Sequence, residues 1–354
     1  MMEVYSQLKF LRFRDRLDAV AEGRVPAPVH VRIKPINRCN HDCWYCAYRN
    51  SNLHLGEDMD EKDTIPTPKL FEIADDIVAM GVKAVTFSGG GEPLLHKALP
   101  ETIDRLAQGG VSVATLTNGV NLKGRVAEAL ARHATWVRVS IDAWDNESYT
   151  ASRSARPGDF DRVMDNMRAF KASGTKCVLG VSLIIDQVNH THVAELAARF
   201  KELGADHVKL AGAVTANDAA EHNAYHERFA AETARQIAQA QHLADDRFQV
   251  LNHVHRMAES FDKPYHSCPF ARFLTVIGAD QTVYLCQDKA YTQSGKLGSI
   301  KDRSFKDFWF SDDNKRALEA VDPSVHCRHH CVAHGKNLAL VDYMSQDLGH
   351  TVFV

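Results

Sequence analysis

What most restricts the fold of this chain is a repeated alternation that begins at Val29. Short apolar extended runs give way to stretches whose apolar residues return every three to four positions, the pattern of a strand followed by an amphipathic helix. Thr67 and Pro68 open one such helix, with proline in the first turn, where its missing N–H costs nothing. Leu70, Ile73, Ile77 and Met80 form its buried stripe, Gly81 ends it, and a strand at 83–87 follows. The stop-then-strand order recurs with Gly110 before 111–116, Gly174 before 176–185 and Gly204 before 207–210. A strand at 136–141 follows a helix that ends without glycine. With 29–36 these make six strands, each followed by a helix-like segment. The expected fold is therefore α/β: a partial (β/α)6 TIM-like barrel with parallel strands, two units short of closure and open at its side. Residues 29–245 are assigned to it, 1–28 to a helical leader, and 246–354 to a small C-terminal α+β domain.

In such a fold ligands bind where strands end and loops begin. The suspicious residues fall there. The loop after the first strand carries Cys39, Cys43 and Cys46 in C-x3-C-x2-C spacing, tight enough to turn three thiolates towards one centre. A cubane cluster held by four cysteines has no iron free; with three, one iron keeps an open position. A structural zinc site completed by His41 or a distant residue is the alternative. Ser88-Gly-Gly-Gly-Glu-Pro93 follows the second strand and Thr117-Asn-Gly119 the third. Ser140 and Asp142 close the fourth, and Asp186-Gln-Val-Asn189 follows the fifth. A structural turn explains any one of these; five on one rim exceed what turns alone explain.

The cysteine spacing after the first strand, with Gly90-Gly-Glu-Pro93 after the second, resembles the radical S-adenosylmethionine (radical SAM) enzymes over roughly 29–214. The resemblance implies a [4Fe–4S] cluster on Cys39, Cys43 and Cys46 whose open iron chelates S-adenosylmethionine. Reductive cleavage would then yield a 5′-deoxyadenosyl radical that abstracts hydrogen from an unactivated C–H bond. It implies further that Gly89, Gly90 and Gly91 let backbone carbonyls approach the methionine ammonium. Glu92 would place charge near that ammonium or order the loop. Asn118, Ser140 and Asp142 would serve the ribose or the methionine carboxylate, and Tyr45 and Ile184 the adenine. Arg153, thirteen residues past Ser140, has the fork geometry for a carboxylate, with a surface arginine beside Arg156 as the other reading.

Beyond an amphipathic stretch at about 223–244 the βα rhythm is read as ending. Cys268 precedes an extended run at 273–277, a Gly/Asp turn, and a second run ending at Cys286, which together read as a hairpin. Cys327 and Cys331 follow a helix, so four thiolates can close one site. This resembles the twitch module of some radical SAM enzymes, a shortened SPASM, and implies one auxiliary [4Fe–4S] cluster. A zinc ribbon is the other reading, kept open by His326, His329, His330 and His334.

Composition narrows the function classes. The formal net charge of −3 over 354 residues gives no global attraction to nucleic acid or anionic membrane. No run of about 18 apolar residues and no signal-peptide pattern occurs, so a cytoplasmic location is expected. The leader at 1–28 is too short for peptide recognition, which favours a small-molecule substrate, with a flavodoxin- or ferredoxin-type electron donor implied by the resemblance. Cys177, the one cysteine outside both groups, sits about 25 Å from the rim at 3.3 Å per strand residue, which disfavours a thiol-quenched mechanism. Net oxidation of a sugar, aminocyclitol or nucleotide-sugar is expected, with Asp186 or Lys209 as base and His253 and His255 as further candidates. The alternatives are a peptide-modifying maturase, a sugar epimerase or dehydratase, and a zinc-bound interaction protein.

Overall fold

The computed structural model describes residues 6–49, 53–254, 261–327, 329–347, 349–350 and 352–353. Its strands are β1 (His30–Ile33), β2 (Ala84–Phe87), β3 (Ser112–Thr117), β4 (Ala134–Ser140), β5 (Val178–Ile185), β6 (His207–Gly212), β7 (Gln249–Asn252), β8 (Leu274–Ile277), β9 (Thr282–Tyr284) and β10 (Lys296–Ser299). They form one ten-stranded sheet in the order β10-β9-β8-β1-β2-β3-β4-β5-β6-β7. From β1 to β7 every pairing is parallel, as the βα alternation requires.

Packed along the sheet are α1 (Arg14–Ala21), α2 (Thr67–Ala79), α3 (Leu99–Gln108), α4 (Gly124–His133), α5 (Asn146–Arg153), α6 (Asp159–Ala172), α7 (Val193–Leu203), α8 (Ala219–Glu227) and α9 (Ala230–Gln241). α2 begins at Thr67, with Pro66 at its N-cap and Pro68 in its first turn. Gly81, past its end, has φ +72°, a conformation that suits glycine. Strand alternation then sorts the side chains. Val31, Ile33, Val85, Phe87, Val137 and Val139 are wholly buried and join Leu70, Ile73 and Ile77 of α2 in the main core. The other face, with Arg32, Thr86, Arg138, Ser140, Ser182 and Lys209, lines the concave interior, and His30 bonds Thr86 across it at 2.8 Å.

The structure departs from the sequence reading in three places. The βα rhythm does not stop at residue 245: β7 adds a seventh parallel strand beside β6. The amphipathic stretch before it is two helices, α8 and α9. The hairpin β8–β9 is antiparallel as expected, but β8 also pairs in parallel with β1, setting Val276 beside Arg32, and the C-terminal segment thereby extends the barrel sheet. The segment continues through α10 (Phe305–Trp309), α11 (Asp312–Glu319), α12 (Pro323–His326) and α13 (His334–Ser345).

The leader is fastened to this segment. Phe10, Leu17 and Val20 pack with Phe273 and Leu340, and the Phe10 and Phe273 rings meet edge-on at 5.9 Å. Trp309 Nε1 donates to the Pro26 carbonyl at 2.8 Å. Burial of a side chain such as Phe10 or Leu17 contributes about 1.5–3 kcal/mol. Phe10→Ala is therefore expected to lower the unfolding free energy by about 3–5 kcal/mol once the cavity is included, read by chemical denaturation, while leaving iron content unchanged.

Candidate active site

Backbone bonds join the first two rim loops. Ser88 N donates to Ile33 O at 3.0 Å, Gly91 N to Ile36 O and Glu92 N to Arg38 O, both at 3.1 Å. The glycines permit this approach: a Cβ at Gly91 would overlap the carbonyl oxygens of Asn37 and Arg38, and one at Gly90 would strike Asn37 Oδ1. Close docking onto the cysteine loop is therefore what these glycines serve in the fold, and Gly89 O receives the Lys34 ammonium. Glu92 orders the loops. Its buried carboxylate accepts from Leu94 N at 3.0 Å, Thr117 Oγ1 at 2.6 Å and Asn118 N at 2.8 Å. Burial raises its pKa against these bonds. Glu92→Gln turns one acceptor into a donor facing the Asn118 N–H; a loss of about 1–3 kcal/mol in chemical denaturation is expected.

The cysteine loop also hangs from the end of α5, with Asp42 N donating to Arg153 O at 2.8 Å and Trp44 N to Ser152 O at 3.4 Å. Cys46 N closes back on Cys43 O at 3.0 Å. Burial pushes the Cys39 thiol up to about 12 and also raises that of Cys43, with Cys43 acting on both Cys39 and Tyr45. Such thiols ionise only when a cation sits among them, and three soft donors on one short loop fit an iron–sulfur cluster.

Beside this loop lies a cavity lined by Cys39, Cys43, Gly91, Glu92, Asn118, Ser140 and Arg153, together with His41, Arg138 and Ser182. Arg153 is 2% exposed, which rules out the surface reading; it forms a buried ion pair with Asp142. Its guanidinium also reaches Ser140 Oγ at 3.3 Å and Cys43 Sγ at 3.8 Å, and lies 5.1 Å from the Tyr149 ring. Asn118 Nδ2 donates to Asn40 Oδ1 at 2.8 Å. An arginine fork, an amide and a serine hydroxyl beside the thiols fit the polar end of an amino-acid cofactor.

Tyr45, Gly89, Gly90, Asp142 and Ile184 stand outside the lining. The Tyr45 ring lies 5.8 Å from the Arg153 guanidinium, and Ile184 O accepts from Asn189 Nδ2 at 2.7 Å. His41 faces Asp159, 3.6 Å away, and burial holds its pKa at about 4. Arg138 and Ser182, not expected from sequence, sit two residues before Ser140 and Ile184 on the same strand faces; period-two counting back from the expected residues finds both.

Asp186 holds the turn after β5: its Oδ1 accepts from Val188 N at 2.7 Å and Asn189 N at 2.9 Å. Lys209 is on the interior face of β6, and burial, with Arg138 and Arg32 nearby, lowers its pKa to about 8. His253 follows β7, its N–H donating to Leu210 O at 3.0 Å, and His255 lies outside the described residues. Cys177 is buried in the main core just before β5.

The second cysteine group also converges. Cys268, Cys286, Cys327 and Cys331 line one cavity with Leu274, Tyr265 and Asn337. Asn337 Nδ2 donates to Cys268 Sγ at 3.3 Å while its Oδ1 accepts from Phe270 N at 3.0 Å. Val332 N donates to Asp288 Oδ2 at 3.3 Å, tying the Cys286 turn to the Cys331 loop. Of the four nearby histidines, His329 lines the cavity, while His326 accepts from Asp322 N at 3.2 Å and His334 meets Tyr265 Oη at 3.2 Å. Burial, with Cys268 and Asp288 nearby, raises Cys327 to about 11 and Cys331 to about 12. Four thiols on one cavity suit a closed cluster site, while among the described residues no three His, Cys, Asp or Glu side chains are grouped to hold a single metal ion.

Residues 33–200, just under half of the chain, match the family model of the Radical SAM superfamily, a family that implies a [4Fe–4S] cluster and S-adenosylmethionine. Among its relatives is a GTP 3′,8-cyclase of Rhizobium leguminosarum, 29% identical over 164 residues, 45% of either chain. Another is an S-adenosylmethionine-dependent nucleotide dehydratase of Lacinutrix mariniflava, 33% identical over 110 residues, 31% of this chain and 22% of that protein. The match thus spans less than half the length of these relatives. In structure the chain is similar to Streptococcus suis SuiB bound to S-adenosylmethionine, with TM-score 0.64 and 14% identity over 90% of this chain and 75% of that one. It is also similar to anSMEcpe with bound AdoMet, with TM-score 0.58 and 15% identity over 90% of this chain and 100% of that one. No helix among the described residues is long and apolar enough to cross a membrane.

Proposed function

We propose that this radical SAM enzyme oxidises a small molecule, a sugar, aminocyclitol or nucleotide-sugar, with an auxiliary [4Fe–4S] cluster on Cys268, Cys286, Cys327 and Cys331. What supports the reading is that both cysteine sets lie beside β1, within reach of the same face of the sheet. Leu274, which lines the second cavity, pairs with His30 on the concave face, and Lys34 lies within electrostatic reach of both Cys46 and Cys286. Cys39, Cys43 and Cys46 would hold one cluster, which would supply the electron for reductive cleavage of S-adenosylmethionine, and Cys268, Cys286, Cys327 and Cys331 would hold the second, which would take up the electron released when the substrate is oxidised.

The chain's own residues do the rest. Arg153, held by Asp142, orients the methionine carboxylate, and Asn118 and Ser140 complete its polar seat. Lys209, at about 8, is poised to accept a proton near neutral pH. The names of the relatives, a GTP cyclase and a nucleotide dehydratase, favour a nucleotide-bearing substrate over a free aminocyclitol.

The test is anaerobic turnover with a reductant of the flavodoxin or ferredoxin type and deuterated candidate sugars and nucleotide-sugars. Deuterium is expected in 5′-deoxyadenosine with at least one probe, together with a product two hydrogens lighter. Transfer with unchanged oxidation level would make the enzyme an epimerase or dehydratase; no transfer with any probe would shift the case to a peptide substrate.

A further inference from the structure

The interior between the two cysteine groups is unusually basic. Arg32 and Lys34 come from β1 and its end, Arg138 from β4, Lys209 from β6 and Lys336 from α13. Strand register puts three of them on one surface. Arg32 pairs with Thr86 on the concave face, Leu116 pairs with Arg138, and Ser140, Ser182 and Lys209 form a row one step nearer the rim. Arg138 and Ser182 line the cavity beside Cys39 and Cys43, so this surface opens where the cofactor would sit.

The side chains are close enough to repel one another. Arg138, Arg32 and Lys336 each act against the charge of Lys209, and Arg32 acts against those of Lys34 and Lys336. Among the described residues, Asp288 is the carboxylate that acts back on Arg32, Lys34 and Lys336. Arg32 Nε is shielded from solvent with no hydrogen-bond partner. Gathering like charges away from water is costly unless an anion joins them. Clusters on the two cysteine sets would bring negative charge towards Lys34 and Arg32, on which Cys286 already acts. Several cations of mixed type, with arginine forks among them, match a multiply charged oxyanion rather than a single carboxylate.

We infer that this surface binds a phosphoryl group of the substrate, with Arg138 and Lys336 on its oxygens and Arg32 beneath them, so that the substrate is a nucleoside polyphosphate or a sugar phosphate. The inference rests on the small-molecule reading proposed above and narrows it.

The test uses the anaerobically reconstituted full chain and equilibrium binding of inorganic pyrophosphate, GTP and glucose 1-phosphate, with iron content and reductive cleavage of S-adenosylmethionine measured on the same samples. At least one probe is expected to bind, more weakly as salt is raised. Arg138→Gln and Lys336→Gln are each expected to weaken it about tenfold, roughly 1.4 kcal/mol. Lys336 lies on a half-buried helix face, so its variant reads out even if Arg138→Gln folds poorly. Tight GTP with weak glucose 1-phosphate binding assigns a nucleotide; the reverse assigns a sugar phosphate. Intact iron and cleavage with no probe bound, or binding indifferent to both variants, would overturn the inference and leave the radical SAM reading standing. Variants that shift only the cluster reduction potentials would do the same, showing that the cations serve the clusters. Loss of iron and cleavage in the native chain would instead remove the proposed function itself.

Discussion

Arg153→Met is expected to destabilise the folded chain by about 3–5 kcal/mol, because it leaves Asp142 charged and unpaired in a site that is 2% exposed. The same change is expected to abolish binding of S-adenosylmethionine, measured by equilibrium dialysis of the iron-loaded protein. These losses have different causes and can be separated. In the double variant Arg153→Met/Asp142→Leu both charges are gone, so chemical denaturation should recover most of the lost stability. Cofactor binding should stay lost, since the fork proposed to take its carboxylate is absent. Recovery of both would reduce Arg153 to a structural residue; recovery of neither would mean that the pair holds the cysteine loop through Asp42, whose N–H is bonded to the Arg153 carbonyl.

The second large effect is predicted for Gly91→Ala. The added methyl would overlap the backbone carbonyls of Asn37 and Arg38, the two residues just before Cys39. Backbone yields far less readily than a side-chain tip, so the clash must move the cysteine loop. Iron at Cys39, Cys43 and Cys46 is expected to fall to background and S-adenosylmethionine cleavage with it, while the second cysteine group keeps its content. Gly335→Ala is the control. It lies inside α13, its nearest neighbour is 3.7 Å away, and alanine there should stabilise by about 0.5–1 kcal/mol.

Much of this architecture was legible in the sequence because each strand and helix carries its own period. The strands at 83–87 and 111–116 and the helix opened by Thr67 and Pro68 needed no tertiary information. Local period says nothing about partners far along the chain. The parallel pairing of β8 with β1 joins residues more than 240 positions apart, and neither strand announces the other. β7 escaped notice because Gln249 and Asn252 break its apolar run and each of its residues is only half-buried.

The site divides the same way. Cys39, Cys43, Cys46 and the glycine loop are readable by spacing. Arg153, flanked by serines and Arg156, looks solvent-facing until α5 is seen to turn it onto Asp142. Arg32, Arg138 and Lys209 occupy alternate strand positions, which in a single sheet would read as a wetted face; the curvature of the barrel makes that face an interior. Glu92 illustrates the reverse: a carboxylate with a chemical role in prospect, absorbed by three hydrogen bonds that hold two loops together.

The central claim is that two separate cysteine sets serve one interior. It is tested most directly by iron and zinc per chain in the native protein and in the Cys39→Ala/Cys43→Ala/Cys46→Ala variant. With four irons in each cluster, about eight irons are expected natively and about four in the variant, with no zinc. A native value near four, or zinc retained by the variant in place of iron, would contradict it.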